Sequence, residues 1–351
     1  MPKLLSIIVP AFDMERYLPQ CLESLVLPPD RMARLDVIVV NDGSSDGTGK
    51  IAHRFAVRFP ESVRVVDKPN GHYGSCVNAA LPLAAGEFVK VLDADDSFDS
   101  GGLAALVDFL ADCPAEANFV LTDYVKVDAA ERPIKTRRFG LGGGLVGPED
   151  LALSDAPVLM YALTYRTRIL RGRGYVQTEG VAYTDNEWTF LPLVWARRGA
   201  HCPHLVYRYL AERPGQSVAY DVMKRSGWMM RRVCDAMVGA YARHLAAGGA
   251  ASAYLDRSLG SMAAAVCRVA ALHDPLREAW GEIAGRLDAL AFRPEAREAM
   301  LDEVRVLSST RRPFRYVRFM SAHPRLRLPV LLLLRGYRVL YGVLDAIHRV
   351  H

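Results

Sequence analysis

Residues 86–96 read Gly-Glu-Phe-Val-Lys-Val-Leu-Asp-Ala-Asp-Asp, an apolar run closed by three carboxylates. The run is short, partly β-branched and entered through a glycine, so it reads as a strand and not as a helix. Working outward, three earlier runs have the same character: residues 4–12 (LLSIIVPAF), 36–42 (DVIVVND) and 63–67 (VRVVD). Amphipathic stretches at 14–26, 47–59 and 74–84 separate them and read as helices. Strands without polar alternation, alternating with helices, predict an α/β fold: a doubly wound, mostly parallel sheet covered on both faces. Such sheets bind ligands beyond the carboxyl ends of their strands. Polar residues gather at those ends: Asp13 and Glu15, then Asp42, then Asn70, then Asp93 to Asp96.

Downstream, residues 119–139 read as a strand pair turning near Glu131–Pro133, and the Gly-rich stretch 140–148 reads as a connection. After Val218 the stretches 222–247, 252–272, 276–291 and 294–307 are rich in Ala, Leu and Arg at helical spacing. The expected plan is a catalytic domain over 1–217, a helical appendage over 218–310 and a basic amphipathic tail over 311–351.

Composition narrows the class. At 351 residues, 51% hydrophobic and 24% charged, the chain is ordinary globular material, long enough for a large core and an appendage. Its six cysteines are scattered without metal-ligand spacing, which predicts reduced, mostly buried thiols and a cytoplasmic setting. The net charge of +5 is uneven: from Arg311 to His351 nine Arg face one acid, so that tail carries +8 and the rest −3. A nucleic-acid groove across the main body is therefore excluded, and an anionic surface at the C-terminus is expected.

The chemistry centres on Asp93 and Asp95. In extended chain, residues i and i+2 project to one side, so both carboxylates can face one ion. Hard oxygen donors select Mg²⁺ or Mn²⁺. A solvated acidic turn would have the same local composition, and the position after the fourth apolar strand decides between them. Asp42 precedes the capping residues Ser44, Ser45 and Asp46, too early to be a cap itself.

PAFDMERYLPQCLESL, VIVVNDGSSDGT, KPNGHYGSCVNAAL and GEFVKVLDADD together resemble the signature set of the family 2 glycosyltransferases, which have the GT-A fold. The resemblance implies that Pro10, Phe12, Glu15 and Asp42 hold the nucleotide, with Lys68, Asn70, Gly74 and Asn78 near the donor. It makes Asp93 and Asp95 the metal-binding DXD motif, with Asp93 also facing the donor. Asp13 stands where the family usually has Asn. The segment YALTYRTRILRGRGYVQTEGVAYTDNEWTF is similar to the acceptor side, with Asp185 as catalytic base and Glu187 as its neighbouring competitor. YRYLAERPGQSV is similar to the segment closing over the diphosphate, implicating Arg213, Gln216 and Ser217.

The resulting expectation is an inverting, metal-dependent transfer of sugar from a nucleotide-diphosphate donor, a UDP-sugar by resemblance. The acceptor hydroxyl would belong to a glycan or a lipid-linked saccharide. A DxD phosphatase places its motif at the first strand, whereas here it follows the fourth. A degenerate scaffold would not retain Asp93, Asp95 and Asp185. Tyr161, Tyr165 and Trp188 are candidates to stack on an acceptor sugar. In the tail, Arg335, Arg338, Asp345 and Arg349 fall within one arc of about 80° beside a broad apolar face. That pattern predicts a helix lying on the inner face of the cell membrane, with packing on the appendage or on a second copy of the chain as alternatives.

Overall fold

The computed structural model describes residues 2–141, 144–153, 158–211, 220–307 and 313–336. The chain divides into two compact units, Met1–Gln216 and Ser217–His351.

In the first unit β1 (Leu5–Ala11) is buried at every position, as a strand covered on both faces must be. It pairs in parallel with β2 (Leu35–Asn41), and β2 with β3 (Val63–Asp67). Their connections carry α1 (Leu18–Glu23), α2 (Pro29–Met32) and α3 (Thr48–Arg58). From β3 the chain enters α4 (His72–Ala80) and returns as β4 (Phe88–Val91), parallel to β1 on its other side. The helix expected over 14–26 is reduced to α1. Asp13 adopts a positive φ of 51°. The N–H groups of Met14 and Glu15 go to Thr48 Oγ1 (2.7 Å) and Asp46 Oδ2 (3.1 Å). Residues 12–17 are thus a loop tied to the start of α3.

The chain continues through β5 (Ser97–Phe98) into α5 (Ser100–Ala111), whose N-cap Asp99 accepts from the Gly102 N–H at 2.8 Å. β6 (Phe119–Val127) and β7 (Pro133–Arg137) form the expected hairpin, and Glu131 in its turn has φ 61°. Then follow β8 (Leu145–Val146), α6 (Pro148–Leu153), β9 (Leu163–Arg166), α7 (Thr167–Gly172), α8 (Asp185–Phe190) and β10 (Gly199–Leu210). The sheet order is β3-β2-β1-β4-β9-β6-β10-β5. β9 runs antiparallel to both β4 and β6, while β10 is parallel to β6. Arg166 fastens the seam: buried, it donates to Ala117 O (2.7 Å) and Pro114 O (2.9 Å) and lies over the Phe88 ring. The architecture is the α/β, doubly wound, mostly parallel sheet that the strand pattern predicts, followed by helices.

In the second unit α9 (Tyr220–Ala246), α10 (Ala253–His273), α11 (Leu276–Ala289) and α12 (Pro294–Glu303) match the four predicted helical stretches. α10 is the hub, and Gly260 permits it to approach α12: a Cβ there would stand 2.6 Å from Ala299 Cβ and 2.7 Å from Ala296 O. Asp256 of α10 is buried and ion-paired with Arg293. After α13 (Tyr316–Ala322), residues 327–336 are helical. That last stretch has two apolar faces. Val330, Leu331 and Leu334 are buried, whereas Leu328, Leu332 and Leu333 are exposed. Arg335 does not join an outward basic stripe as the arc predicts. Its guanidinium donates to Ala271 O (3.0 Å) and to Asp274 O, capping the carboxyl end of α10. Arg338, Asp345 and Arg349 lie outside the described residues.

Candidate active site

Four loops meet beyond the carboxyl ends of β1, β2, β3 and β4. Glu15 Oε2 accepts from the Gly47 N–H (2.7 Å), and Asp13 Oδ1 accepts from the Ser45 N–H (2.8 Å) and Oγ (3.2 Å). Aspartate tolerates the left-handed conformation found at this position, and its short carboxylate binds the neighbouring loop. Pro10 is buried within β1, and Phe12 is exposed. Asp42, almost fully buried, accepts at Oδ1 from Lys68 Nζ (2.6 Å) and from the Gly71 N–H (3.0 Å). Lys68 Nζ also donates to Pro69 O (2.7 Å) and Ser75 Oγ (2.8 Å), so its ammonium ties the β2 and β3 loops to α4. Gly43, at φ 74°, is where these loops come closest; a Cβ there would meet the Asn70 N at 2.8 Å. Asn70 itself is exposed.

α4 is docked on the acceptor-side segment. Asn78 Nδ2 donates to Gln177 O (2.9 Å) and Glu179 Oε1 (2.8 Å), and its Oδ1 accepts from the Gln177 N–H (2.8 Å). At Gly74 an added Cβ would meet Thr178 O at 2.3 Å, so the helix lies directly on that carbonyl. Gly74 and Asn78 therefore hold residues 177–179 in place.

The carboxylates at 93–96 converge, though not by strand alternation. β4 ends at Val91, and the Asp96 N–H donates back to Asp93 O (3.0 Å), closing a turn. Asp93, Asp95 and Asp96 each present an oxygen within 4.8 Å of the others. The set is all carboxylate oxygen, which suits a hard divalent cation. Asp96 is the innermost: Oδ1 accepts from the Leu210 N–H (2.7 Å) and Oδ2 from Tyr207 Oη (2.7 Å). Burial above all, then the charges of Asp95 and Asp93, raise its carboxyl well above the usual range. Tyr207 Oη also accepts from the Asp93 N–H (3.1 Å), and Tyr73 Oη donates to Asp93 Oδ1 (2.8 Å). Beneath the turn, Lys90 of β4 is fully buried, with Nζ on Tyr161 O (2.6 Å) and Leu163 O (3.3 Å). Burial lowers its ammonium to about 7.

Asp185 opens α8 with an exposed side, while the protein crowded around it raises its carboxyl above the ordinary aspartate range. The Asn186 N–H and side chain oppose that shift. Its charge bears on Tyr73 and Tyr161, which also feel Asp93, so Asp185 lies in the neighbourhood of the carboxylate turn. Glu187 is placed differently. It is fully buried, and its two oxygens accept from the Thr178 N–H (2.7 Å) and Oγ1 (2.6 Å). It braces the segment that α4 also grips.

Two of the three aromatic candidates for acceptor stacking are committed to the core. Tyr165 and Trp188 are core, with Tyr165 Oη on Trp188 O (2.9 Å). The Tyr161 ring lies 4.8 Å from both Tyr207 and Tyr209, at 32° and 20°. Tyr161 is thus packed against two tyrosines of β10 and is half-buried. Arg213, Gln216 and Ser217 lie outside the described residues. Sequence reasoning passed over Asp96, Tyr73 and Tyr207. The first two lay within the motifs quoted above, and only the fold brings Tyr207 to them.

Residues 6–169 match the family model described as glycosyl transferase family 2. An uncharacterized glycosyltransferase of Mycoplasma pneumoniae is 36% identical over 97 residues, 27% of this chain and 32% of that protein. The uncharacterized glycosyltransferase YibD of Escherichia coli is 26% identical over 216 residues, 58% of this chain and 60% of the relative. The match thus spans about a third of the first of these relatives and less than two thirds of the second. Among solved structures, residues 1–349 of Staphylococcus aureus TarS, in complex with UDP-GlcNAc, superpose with a TM-score of 0.53 at 22% identity. That superposition covers 83% of this chain and 91% of the TarS chain.

Proposed function

We propose, from the premise that the chain carries a glycosyl transferase family 2 domain over residues 6–169, that it transfers a sugar from a nucleotide-diphosphate donor to an acceptor hydroxyl with inversion. The observation that carries the reading is the carboxylate cluster of Asp93, Asp95 and Asp96, with Asp185 near enough that its charge and that of Asp93 bear on the same two phenols, Tyr73 and Tyr161. Nucleophilic displacement at an anomeric carbon needs charge stabilisation for the departing diphosphate and a proton acceptor for the incoming hydroxyl, on opposite sides. Asp93 and Asp95 would hold Mg²⁺ or Mn²⁺, which when bound acts as a Lewis acid on the diphosphate oxygens. Asp185 would accept the hydroxyl proton. Its raised pKa brings it nearer to neutral pH, where a base transfers protons most effectively.

On the donor side, Phe12, Glu15, Asp42, Lys68 and Asn70 would line the loops where the nucleotide would sit, with Pro10 beneath them near the end of β1. Asp42 would accept from a nucleobase imide, its position fixed by Lys68 and Gly71. Gly74 and Asn78 would act through the 177–179 segment that they hold. Arg213, Gln216 and Ser217 remain assigned to the diphosphate by resemblance. A UDP-sugar is the favoured donor; TarS, which shares the fold, is seen with UDP-GlcNAc. We assign the acceptor to a glycan or lipid-linked saccharide and the C-terminal segment to an anionic membrane surface, where such acceptors are presented. The division into a catalytic domain, a helical appendage and a membrane-facing tail follows from the same reading.

The test is release of free nucleotide from a panel of nucleotide-sugars in Mn²⁺. Turnover of one member, abolished in Asp95→Ala with the circular dichroism spectrum unchanged, is the expected result. Full activity of Asp95→Ala, or of the wild type in excess chelator, would remove the metal assignment.

A further inference from the structure

Two phenols grip the carboxylate turn from separate elements. Tyr73, on α4, places its hydroxyl 2.8 Å from Asp93 Oδ1. Tyr207, on β10, is fully buried and uses one oxygen twice, accepting from the Asp93 N–H at 3.1 Å and donating to Asp96 Oδ2 at 2.7 Å. Asp93 and Asp96 are the first and last residues of the turn, so the Tyr207 hydroxyl clamps its two ends. Between them, Asp95 sits at the apex.

We propose that Tyr73 and Tyr207 are positioning residues for a divalent cation at Asp93 and Asp95, fixing the carboxylates without touching the ion. The inference rests on the metal reading given above. A carboxylate pair gathers affinity for a cation only when its oxygens are held in place beforehand, because an unrestrained pair must be ordered on binding, against its own repulsion. Hydrogen-bond partners behind metal-binding side chains are worth roughly 10- to 100-fold in metal affinity for this reason. The environment of the phenols supports a dedicated role. The Tyr207 ring packs edge-on against Phe98 and beside Tyr161. It would keep that packing as phenylalanine, so the hydroxyl can be removed without emptying the core. Asp96, whose two oxygens are occupied by Tyr207 and the Leu210 N–H, serves as the anchor for the clamp. Metal affinity therefore depends on a strand that arrives more than a hundred residues after the carboxylates.

The full chain is titrated with Mn²⁺ alone, with the free ion followed by electron paramagnetic resonance. The variants are Tyr73→Phe, Tyr207→Phe, Asp95→Ala and Tyr165→Phe. Tyr165 is an equally buried tyrosine whose hydroxyl bonds Trp188 O, away from the turn. Tyr73→Phe and Tyr207→Phe are expected to bind Mn²⁺ about tenfold or more weakly. Tyr165→Phe should bind like the wild type even if its melting temperature falls. Wild-type affinity in both Tyr73→Phe and Tyr207→Phe, with binding lost in Asp95→Ala, overturns the positioning role and leaves the metal reading standing. Wild-type affinity in Asp95→Ala overturns both. Equal weakening in Tyr165→Phe reduces the phenols to general scaffolding and also overturns the inference. Tyr73 is only half-buried, so Tyr73→Phe decides the matter should Tyr207→Phe fail to fold.

Discussion

Asp185 and Glu187 are two residues apart and differ in everything that matters to a base. Glu187 is braced through both oxygens by Thr178, whereas Asp185 keeps an exposed side and feels the cleft. A base must be ionised to act, and burial raises the Asp185 carboxyl. Its rate should therefore fall, as pH drops, at a pH above that of an ordinary aspartate. Asp185→Asn should lower the transfer rate by about 10²–10⁴ and abolish that acid limb, with donor affinity nearly unchanged. A pH–rate profile of wild type and variant checks both; an unaltered limb would reassign the proton acceptor. At this scale the sequence located the strand-end carboxylates Asp42, Asp93 and Asp95, which the fold places in the loops after β2 and β4. It was illegible where a second element decides. Nothing local distinguishes Asp185 from Glu187, and Asp96 belongs to the cluster because residues 93–96 turn instead of running straight.

Among the elements, β1, β2 and β4 were readable as short, largely apolar runs buried at nearly every position, and the edge strand β3, only partly buried, was readable from its valines. β9 and β10 were not. Leu-Thr-Tyr-Arg is too short to stand out, and β10 mixes His201, His204 and Arg208 with apolar residues and shifts register twice against β6. Lys90 shows how an element tolerates a charge at its centre. Its ammonium is held near 7 in the fold against 10.5 when free. Between those pH values the unfolded chain binds the proton that the folded chain lacks, so stability from this group rises with pH. Below about 7 both states are protonated and the desolvation penalty is present in full. Lys90→Met should flatten the wild-type rise in melting temperature between pH 7 and 10, measured relative to its own value at pH 7. An identical slope in wild type and variant would show that Lys90 titrates normally.

For the molecule as a whole, no described helix is long and apolar enough to cross a membrane. The exposed Leu328, Leu332 and Leu333 and the basic tail sequence still support attachment to a lipid surface. The face proposed to attach is the leucine ridge, since Arg335 is turned inward onto the end of α10. The full chain should co-sediment with phosphatidylglycerol vesicles more than with neutral ones. Leu332→Glu with Leu333→Glu should reduce binding at least tenfold, because each leucine withdrawn from an apolar phase loses about 1.5–3 kcal/mol. Equal sedimentation of the double variant would leave the ridge as packing surface for protein.

The placement of β10 has one more consequence, for the newly made chain. The carboxylate turn is synthesised by residue 96, but the strand carrying Tyr207 and Leu210, which hold Asp96, follows more than a hundred residues later. At translation rates of about 5–20 residues per second, that is a delay of roughly 5–20 s. During it, the half-sheet β3-β2-β1-β4 can form while its acidic loop has Tyr73 beside Asp93 but lacks the partners of Asp96. Assembly of the nascent chain thus has a built-in order, in which the carboxylates proposed to hold a metal ion receive their Tyr207 clamp only after the half-sheet that carries them has been made.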